Sequence, residues 1–194
     1  VLSTITTHQR SVTDATVTTN EYFEYTEQGR LRNHYHQING GDMERLTTNE
    51  YDNLGQLISK DVGGAPNMET GLQKVNYQYN IRGWLTHINE VNQLQNNPGQ
   101  FDDLFAFKIN YNTVENTVNN AIKPLFNGNI SETFWQTGSD VNVRKYGYTY
   151  DQLNRLQNAI YQKPNEVVQI YNSYNENLWY DKNGNITKLE RNGE

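Results

Sequence analysis

The stretch YDKNGNITKL at residues 180–189 carries the motif that decides the fold. It places tyrosine at position one, aspartate at position two, glycine at position five and isoleucine at position seven. Four earlier segments follow the same template, and they begin at Tyr25, Tyr51, Tyr79 and Tyr150. The gap of 71 residues between the third and fourth copies leaves room for one or two degenerate units, and LFNGNI at residues 125–130 resembles the end of the last copy. The sequence is therefore organised in repeats.

Each copy of the template has the chemistry of a tight hairpin turn. An Asp or Asn side chain at position two can accept a backbone N–H and open the turn. Gly or Asn at position five suits a positive φ, which other residues resist. A type I turn followed by a left-handed bulge residue joins antiparallel strands and sets position one opposite position seven, as an aromatic–aliphatic pair. The template thus predicts five hairpin tips, with the defining residues Tyr25, Gly29, Leu31, Tyr51, Asp52, Gly55, Leu57, Tyr79, Gly83, Leu85, Tyr150, Asp151, Asn154, Leu156, Tyr180, Asp181, Gly184 and Ile186.

The segments beside the tips predict an all-β fold. Residues 76–80 and 146–150 alternate with period two, as does part of 167–171. The chain is polar, with a mean hydropathy of -0.90, but 12% of its residues are aromatic, which suits extended sheets better than disorder. A spacing near 28 residues holds two strands and two turns, so we expect antiparallel hairpins in which each unit needs its neighbours to complete the core.

Composition excludes several classes of function. The net charge of -6 and the absence of a basic run disfavour nucleic-acid binding. The chain has no cysteine, so a disulfide framework and a thiolate metal site are impossible. No segment approaches the roughly 20 apolar residues of a membrane-spanning helix. The chain begins without methionine or a secretion signal, and we expect it to be an internal or mature piece of a longer protein.

No arrangement of residues points to catalysis, a metal or a cofactor, and we expect none. His34 and His36 could share one side of a strand, with Glu24 as a third ligand, but a metal site needs three or four convergent ligands. The neighbouring carboxylates Asp102 and Asp103 are interpreted as a solvated loop end, since adjacent strand residues point to opposite faces. The sequence contains no nucleophile elbow, and its glycines follow the turn template rather than a phosphate loop.

Two polar segments interrupt the repeats and are predicted to be loop insertions, at residues 89–100 and 112–121. Val91 and Leu94 could form a short helix within the first. The aromatic side chains of the predicted strands are expected to be exposed on both faces, and they offer two interpretations, a ladder that covers the sheet or a platform for sugars. These residues are Tyr22, Phe23, Tyr77, Tyr146, Tyr148, Tyr161, Tyr171, Tyr174 and Trp179. The alternative function is therefore a carbohydrate-binding surface adhesin module.

The repeated Tyr-Asp-x-x-Gly-x-Leu phrase resembles the YD repeat of RHS-type proteins, from about Tyr22 to Leu189. The segments RGWL at 82–85, DLF at 103–105, NYN at 110–112 and NGNI at 127–130, followed by Trp135, are similar to the end of the repeat region in one bacterial subgroup. The chain departs from the family at Thr26 and Asn80, which replace the aspartate. It also lacks the Pro- and Gly-containing core motif that follows the repeats.

The resemblance implies both a fold and a function. In that family many repeats form a β-sheet that spirals into a hollow shell, so residues 1–194 would be a curved section of such a wall. The whole protein would be secreted or lie at the bacterial cell surface, and would enclose or present a C-terminal effector, often a toxin. The implied partners are neighbouring repeats of the same chain, the effector cargo, and the secretion machinery or a surface glycan.

Overall fold

The computed structural model describes residues 2–94, 102–115, 121–140, 142–164 and 173–193. It contains thirteen β-strands and no helix within those ranges, which confirms the all-β prediction. The strands are β1 Ser3–His8, β2 Val17–Tyr25, β3 Leu31–Ile38, β4 Met43–Tyr51, β5 Leu57–Val62, β6 Gln73–Tyr79, β7 Leu85–Ile88, β8 Phe105–Asn110, β9 Glu132–Thr137, β10 Arg144–Tyr150, β11 Leu156–Gln162, β12 Glu176–Tyr180 and β13 Ile186–Arg191.

The strand order follows the chain order, and successive strands pair antiparallel from β1 to β6 and from β7 to β13. This meander of hairpins is the arrangement that the repeated turns predict. The alternating segments at 76–80 and 146–150 lie in and beside β6 and β10. The predicted strand character of residues 167–171 falls outside the described residues.

The chain divides into two compact units. Unit 1 comprises Val1–Gln78 and Asn97–Asp103, and unit 2 comprises Tyr79–Asn96 and Leu104–Glu194. All seven buried hydrophobic residues of the described chain belong to unit 2: Leu94, Ala106, Ile122, Phe134, Val143, Ala159 and Tyr161. Apart from Gly71, the buried residues of unit 1 are polar or charged. Unit 1 therefore depends on strand pairing and polar contacts, whereas unit 2 also has an apolar core.

Most of this core forms where the chain leaves the sheet and returns over one of its faces, whereas Ala159 and Tyr161 lie on the opposite face. We call the face over which the chain returns the covered face; it carries Phe134 and Lys145, which stand opposite each other on β9 and β10. Ile122 packs where Gly147 has no side chain, since a Cβ there would lie 1.9 Å from the Ile122 Cδ1 atom. The Asn92 N–H donates to the Gln136 Oε1 atom at 2.8 Å.

Each of the two polar segments thus contributes a contact with β9 on this face, through Asn92 and through Glu115. Residues 95–100 and 116–120 lie outside the described residues. The short helix considered around Val91 and Leu94 is wrong, because residues 89–94 form turns, with the Gln93 N–H donating to the Glu90 carbonyl at 3.1 Å.

Candidate functional site

The repeated template forms the same hydrogen-bonded turn in all five copies. The N–H of position two donates to the carbonyl of position six, as Asp52 does to Gln56 at 3.0 Å. The N–H of position five donates to the carbonyl of position two, as Gly55 does to Asp52 at 3.0 Å. The corresponding position-two and position-five residues elsewhere are Thr26 and Gly29, Asn80 and Gly83, Asp151 and Asn154, and Asp181 and Gly184.

Position five has a positive φ in every tip. The values are 77° at Gly29, 84° at Gly55, 78° at Gly83, 89° at Gly184 and 61° at Asn154. Residues with a Cβ pay a steric cost in this region, and Asn tolerates it better than most. The turn geometry therefore explains why the template accepts only Gly or Asn here.

The side chain at position two closes the turn from within. The Oδ1 atom of Asp52 accepts the N–H groups of Leu54 at 2.9 Å and Gln56 at 2.8 Å. Asp151, Asp181 and Asn80 accept the equivalent pair of donors. Thr26, which replaces the acid in the first tip, accepts only the Arg30 N–H, at 3.2 Å.

These hydrogen bonds stabilise the charged form of two of the acids. The backbone N–H of Arg155 contributes most to lowering the pKa of Asp151. The amide side chain of Asn185 contributes most to lowering the pKa of Asp181. Accepting several N–H donors favours the carboxylate over the carboxylic acid, so the turns at Asp151 and Asp181 stabilise ionised Asp.

The strand register places position one opposite position seven. Tyr51 stands opposite Leu57, with a register shift at the bulge that precedes it. The same pairing joins Tyr25 to Leu31, Tyr150 to Leu156 and Tyr180 to Ile186. The remaining pair, Tyr79 and Leu85, belongs to the third tip in chain order. It flanks the turn in which the Asn80 N–H donates to the Trp84 carbonyl.

The tyrosine hydroxyls link one tip to the tip before it, which the sequence analysis did not anticipate. The Tyr51 hydroxyl donates to the carbonyl of Leu31 at 2.9 Å, and Leu31 is position seven of the preceding tip. The Tyr180 hydroxyl donates to the Leu156 carbonyl at 2.7 Å in the same relation. We call this contact between successive repeats the inter-unit joint, where the word unit means one repeat and not unit 1 or unit 2. The consistent use of Tyr rather than Phe at position one was the available signal.

Two more joints identify the degenerate unit in the long gap. The Tyr111 hydroxyl donates to the Leu85 carbonyl at 3.0 Å, and the Tyr150 hydroxyl donates to the Ile130 carbonyl at 2.8 Å. Tyr111 therefore acts as position one and Ile130 as position seven of an enlarged tip. Gly128, with a φ of 97°, lies in the segment that resembles the end of the last copy. The gap holds one unit whose turn has been expanded.

The side chain at position six packs on the tyrosine of the next tip. The Arg155 guanidinium lies 4.6 Å from the ring centroid of Tyr180, and its Nη1 atom donates to the Asp181 carbonyl at 3.1 Å. Arg30 lies 5.8 Å from the ring centroid of Tyr51. In unit 2 the ring of Trp84 lies 5.1 Å from that of Tyr111. Cation–π and aromatic contacts therefore reinforce the joints.

A buried polar network fastens the expanded tip to the covered face. Lys145 and Glu132 are both fully buried, and the Lys145 Nζ atom lies 2.5 Å from Glu132 Oε1. Glu132 Oε2 accepts the Glu115 N–H at 2.7 Å and the Asn110 side chain at 3.1 Å. Lys108 Nζ lies 2.6 Å from Glu115 Oε1. A buried charge is tolerated only when it is paired and hydrogen-bonded, and here the network holds Glu115 against the covered face.

The candidate metal and acid residues are engaged in separate contacts. His34 Nε2 lies 3.0 Å from Glu21 Oε1, and His36 Nε2 lies 2.9 Å from Glu44 Oε2. Glu24 instead accepts a hydrogen bond from Asn33 at 2.6 Å. Within the described ranges, no three His, Asp or Glu residues are grouped to hold a metal ion.

Two predictions about exposure are wrong. Asp103 is buried, with 9% exposure, rather than part of a solvated loop end, and burial raises the pKa of its carboxyl group. Tyr161 is also buried, with 4% exposure, because other rings surround it. Tyr171 lies outside the described residues.

In the described part of the chain there is no helix of the length and apolarity that crossing a bilayer requires.

Comparisons with known proteins find 23 similar chains among solved structures. No family model matches the chain, and no curated protein sequence matches it. A chain of the Photorhabdus luminescens Tc holotoxin pore is similar in structure at 11% sequence identity, with a TM-score of 0.36. The similarity covers 94% of this chain and 12% of the holotoxin chain, so the present chain spans about an eighth of that protein's length.

Proposed function

We propose that this chain is a non-catalytic section of a YD-repeat wall, belonging to a secreted or cell-surface protein that encloses or presents a C-terminal effector. The observation that carries the proposal is the inter-unit joint, which recurs at Tyr51, Tyr111, Tyr150 and Tyr180. In each joint, a tyrosine hydroxyl connects one hairpin to the hairpin before it. Such contacts build a continuous surface from repeated units.

The physical logic is that of a nearest-neighbour array. In repeat proteins each unit contacts only its neighbours, and stability accumulates from the interfaces between them. Three of the described interfaces combine a tyrosine hydroxyl bond with a position-six side chain packed on the same ring, at Tyr51, Tyr111 and Tyr180. A sheet that extends in this way can form a wall of any length. The proposed partners are therefore further repeats of a longer chain, the effector that they surround, and the machinery that exports the whole.

Limited proteolysis of the full-length native protein tests the proposal. The combined variant Tyr150→Ala and Tyr180→Ala removes two joints, whereas Leu153→Ala alters an exposed tip residue that takes part in no joint. We expect the C-terminal region to resist protease in the parent protein and in Leu153→Ala, and to be cleaved in the combined variant. Equal cleavage of that region in all three proteins would contradict containment.

A further inference from the structure

A lysine, an asparagine and a glutamate meet on the covered face of unit 2, out of contact with solvent. Lys145 and Glu132 have no exposed surface, and Asn110 is 5% exposed. Lys145 supplies a primary amine, Asn110 supplies a carboxamide, and the Glu132 carboxylate contacts both. A reaction that joins two side chains through an amide bond needs these three groups: a nucleophile, an acyl group and a carrier for protons.

The strand register brings the three residues together. Asn110 on β8 stands directly opposite Glu132 on β9. Lys145 on β10 stands opposite Phe134, which lies two residues after Glu132. Directly paired residues share a face, as do residues two apart on one strand, so all three functional side chains project from the covered face. A bond between Asn110 and Lys145 would therefore span the middle strand of three.

Glu132 meets its two partners through different oxygen atoms. The Lys145 Nζ atom lies 2.5 Å from Oε1, and the Asn110 Nδ2 atom donates to Oε2 at 3.1 Å. Although Nζ is in contact with Oε1, this oxygen accepts no hydrogen bond from a described residue. A buried polar atom without a hydrogen bond is rare in a folded protein and requires an explanation. Here Oε1 is free to accept a proton from the amine beside it.

The site offers a route to a neutral amine, the only form of lysine with a lone pair that can attack a carbonyl carbon. An ion pair removed from water carries a large desolvation cost, and the transfer of one proton from ammonium to carboxylate removes both charges. The Nζ atom also lies 2.5 Å from the Glu115 carbonyl oxygen and 5.1 Å from the centroid of the Phe134 ring. Neither neighbour is a base, so Glu132 is the group positioned to take the proton.

We propose that Lys145 and Asn110 become joined by an amide bond between their side chains, with Glu132 as the proton carrier. Glu132 takes one proton from Nζ, and the Nζ lone pair forms a bond to the Asn110 Cγ atom. The Cγ–Nδ2 bond then breaks as the carbonyl re-forms. Of the three Nζ hydrogens, one stays on the new amide, one passes through Glu132 to the leaving nitrogen, and one remains on Glu132. Ammonia leaves, and no oxidant, reductant or other co-reactant is consumed.

The product removes the electrostatic cost of the site and locks the strands. A buried ammonium–carboxylate pair is replaced by a neutral amide and a neutral carboxylic acid, neither of which carries the desolvation cost of a charge. The ion pair is the arrangement before the bond forms, and its contribution to stability is measured against that unlinked chain. The link prevents β8 and β10 from separating. It forms once per chain and turns over no substrate, as befits a structural protein.

The proposal does not depend on the proposed wall, because all three residues belong to unit 2. Lys108 provides an internal comparison. Its Nζ atom lies 5.5 Å from the centroid of the Phe134 ring, close to the value for Lys145, but its amine is held by both oxygens of the Glu115 carboxylate. The Lys108 side chain is also 24% exposed. Lys108 is therefore expected to stay unmodified.

Peptide mass mapping of the full-length native protein tests the proposal. The protein is denatured and cleaved after glutamate, which places Asn110 in the fragment 91–115 and Lys145 in the fragment 133–166. We expect these two fragments to remain joined, with a mass lower by one ammonia molecule than the sum of the two. Fragmentation of the joined species should locate the bond at Asn110 and Lys145. Recovery of the two fragments only as separate species would overturn the proposal.

Three variants assign the roles, and circular dichroism checks that each of them folds. Lys145→Arg keeps the cation but removes the primary amine, so the joined species should be absent. Glu132→Gln keeps the shape but cannot carry the proton, and should slow formation of the link at least about 100-fold. Lys108→Arg is the matched control and should leave the link unchanged.

Two further results would also contradict the proposal. One is a joined species that persists in Lys145→Arg. The other is a link between the fragments 116–132 and 133–166 with loss of water, which would mean that Glu132 itself is the acyl group. The mapping of the parent protein is decisive if a variant fails to fold, because it requires no substitution.

Discussion

The Tyr51 hydroxyl allows the inter-unit joint to be tested by removing a single oxygen atom. Tyr51→Phe deletes the donor to the Leu31 carbonyl, a partly buried hydrogen bond of 2.9 Å. The ring remains, and with it the pairing with Leu57 and the contact with Arg30. The variant therefore isolates the hydroxyl bond from the other contributions to the same interface.

The expected loss follows from the cost of an unmade hydrogen bond. A neutral intramolecular hydrogen bond contributes about 0.5–1.5 kcal/mol net. In the variant the Leu31 carbonyl loses the Tyr51 hydroxyl but keeps the Asn49 side chain, which donates to it at 3.1 Å. A local free energy of unfolding that falls by this amount corresponds to amide exchange that is roughly 2- to 10-fold faster. The effect should be confined to β3 and β4, the strands that the joint connects.

Hydrogen exchange is the suitable assay because it resolves the strands of unit 1. The three tryptophans, Trp84, Trp135 and Trp179, all belong to unit 2, so fluorescence would not report on this interface. Tyr77→Phe is the matched control, because Tyr77 is also half-buried in unit 1 and its hydroxyl bonds to no described residue. The control should change stability by less than about 0.5 kcal/mol.

Equal exchange rates in Tyr51→Phe and the parent protein would refute the reasoning. That result would mean that water replaces the tyrosine donor without loss, and that the joint is a consequence of sheet formation rather than a contribution to it. Faster exchange throughout unit 1 in both Tyr51→Phe and Tyr77→Phe would point instead to a general effect of removing tyrosine hydroxyls.

Three further predictions concern the turns, the covered face and acid stability. Gly184→Ala should lower the free energy of unfolding by about 1–2 kcal/mol through backbone strain alone, because the φ of Gly184 is 89° and an added Cβ would meet no atom within 4 Å. Gly193→Ala is the control, since that position has equal space and no positive φ. Its stability in urea unfolding should be unchanged. Lys145→Met should lower the free energy of unfolding by about 3–5 kcal/mol, because it leaves Glu132 buried without its partner. Lys188→Met, at an exposed ion pair, should lower it by less than about 1 kcal/mol. Both values are measured by urea unfolding followed by circular dichroism. A hydrogen bond from Arg144 is the main cause that lowers the pKa of Asp140 from 3.8 to about 2. The contribution of Asp140 to stability should therefore be complete above pH 3.8 and disappear as the pH falls through about 2. If the stability of Asp140→Asn keeps the same dependence on acid pH as the parent protein, this prediction is contradicted.

The turns could be predicted from the sequence because their chemistry is local. A carboxylate at position two and a left-handed residue at position five satisfy groups no more than four positions away, as in Asp52 and Gln56. The hydroxyl joint could not be predicted in the same way. Its acceptor is a backbone carbonyl 20 to 26 residues earlier, and a carbonyl has no signature in the sequence.

The covered face could not be predicted from the amino-acid composition of the segments that form it. The polar segment at 112–121 reads as a surface loop, and Glu132 and Lys145 read as exposed charges. They are buried because they neutralise each other and because Glu132 also accepts the Glu115 backbone N–H. The contacts among Tyr146, Tyr148 and Tyr161 could be predicted only as a set of alternating aromatic residues, because a strand pattern shows which residues share a face but not which rings meet.

Electron microscopy of the full-length native protein tests the central claim most directly. We expect a hollow particle whose wall is a continuous antiparallel sheet, with successive hairpin tips in line and each position-one tyrosine directed at the previous tip, as Tyr51 is at Leu31. Density inside the particle would be the enclosed effector. A compact particle without a cavity, in which the hairpin tips of this chain are packed against an unrelated domain, would contradict the account.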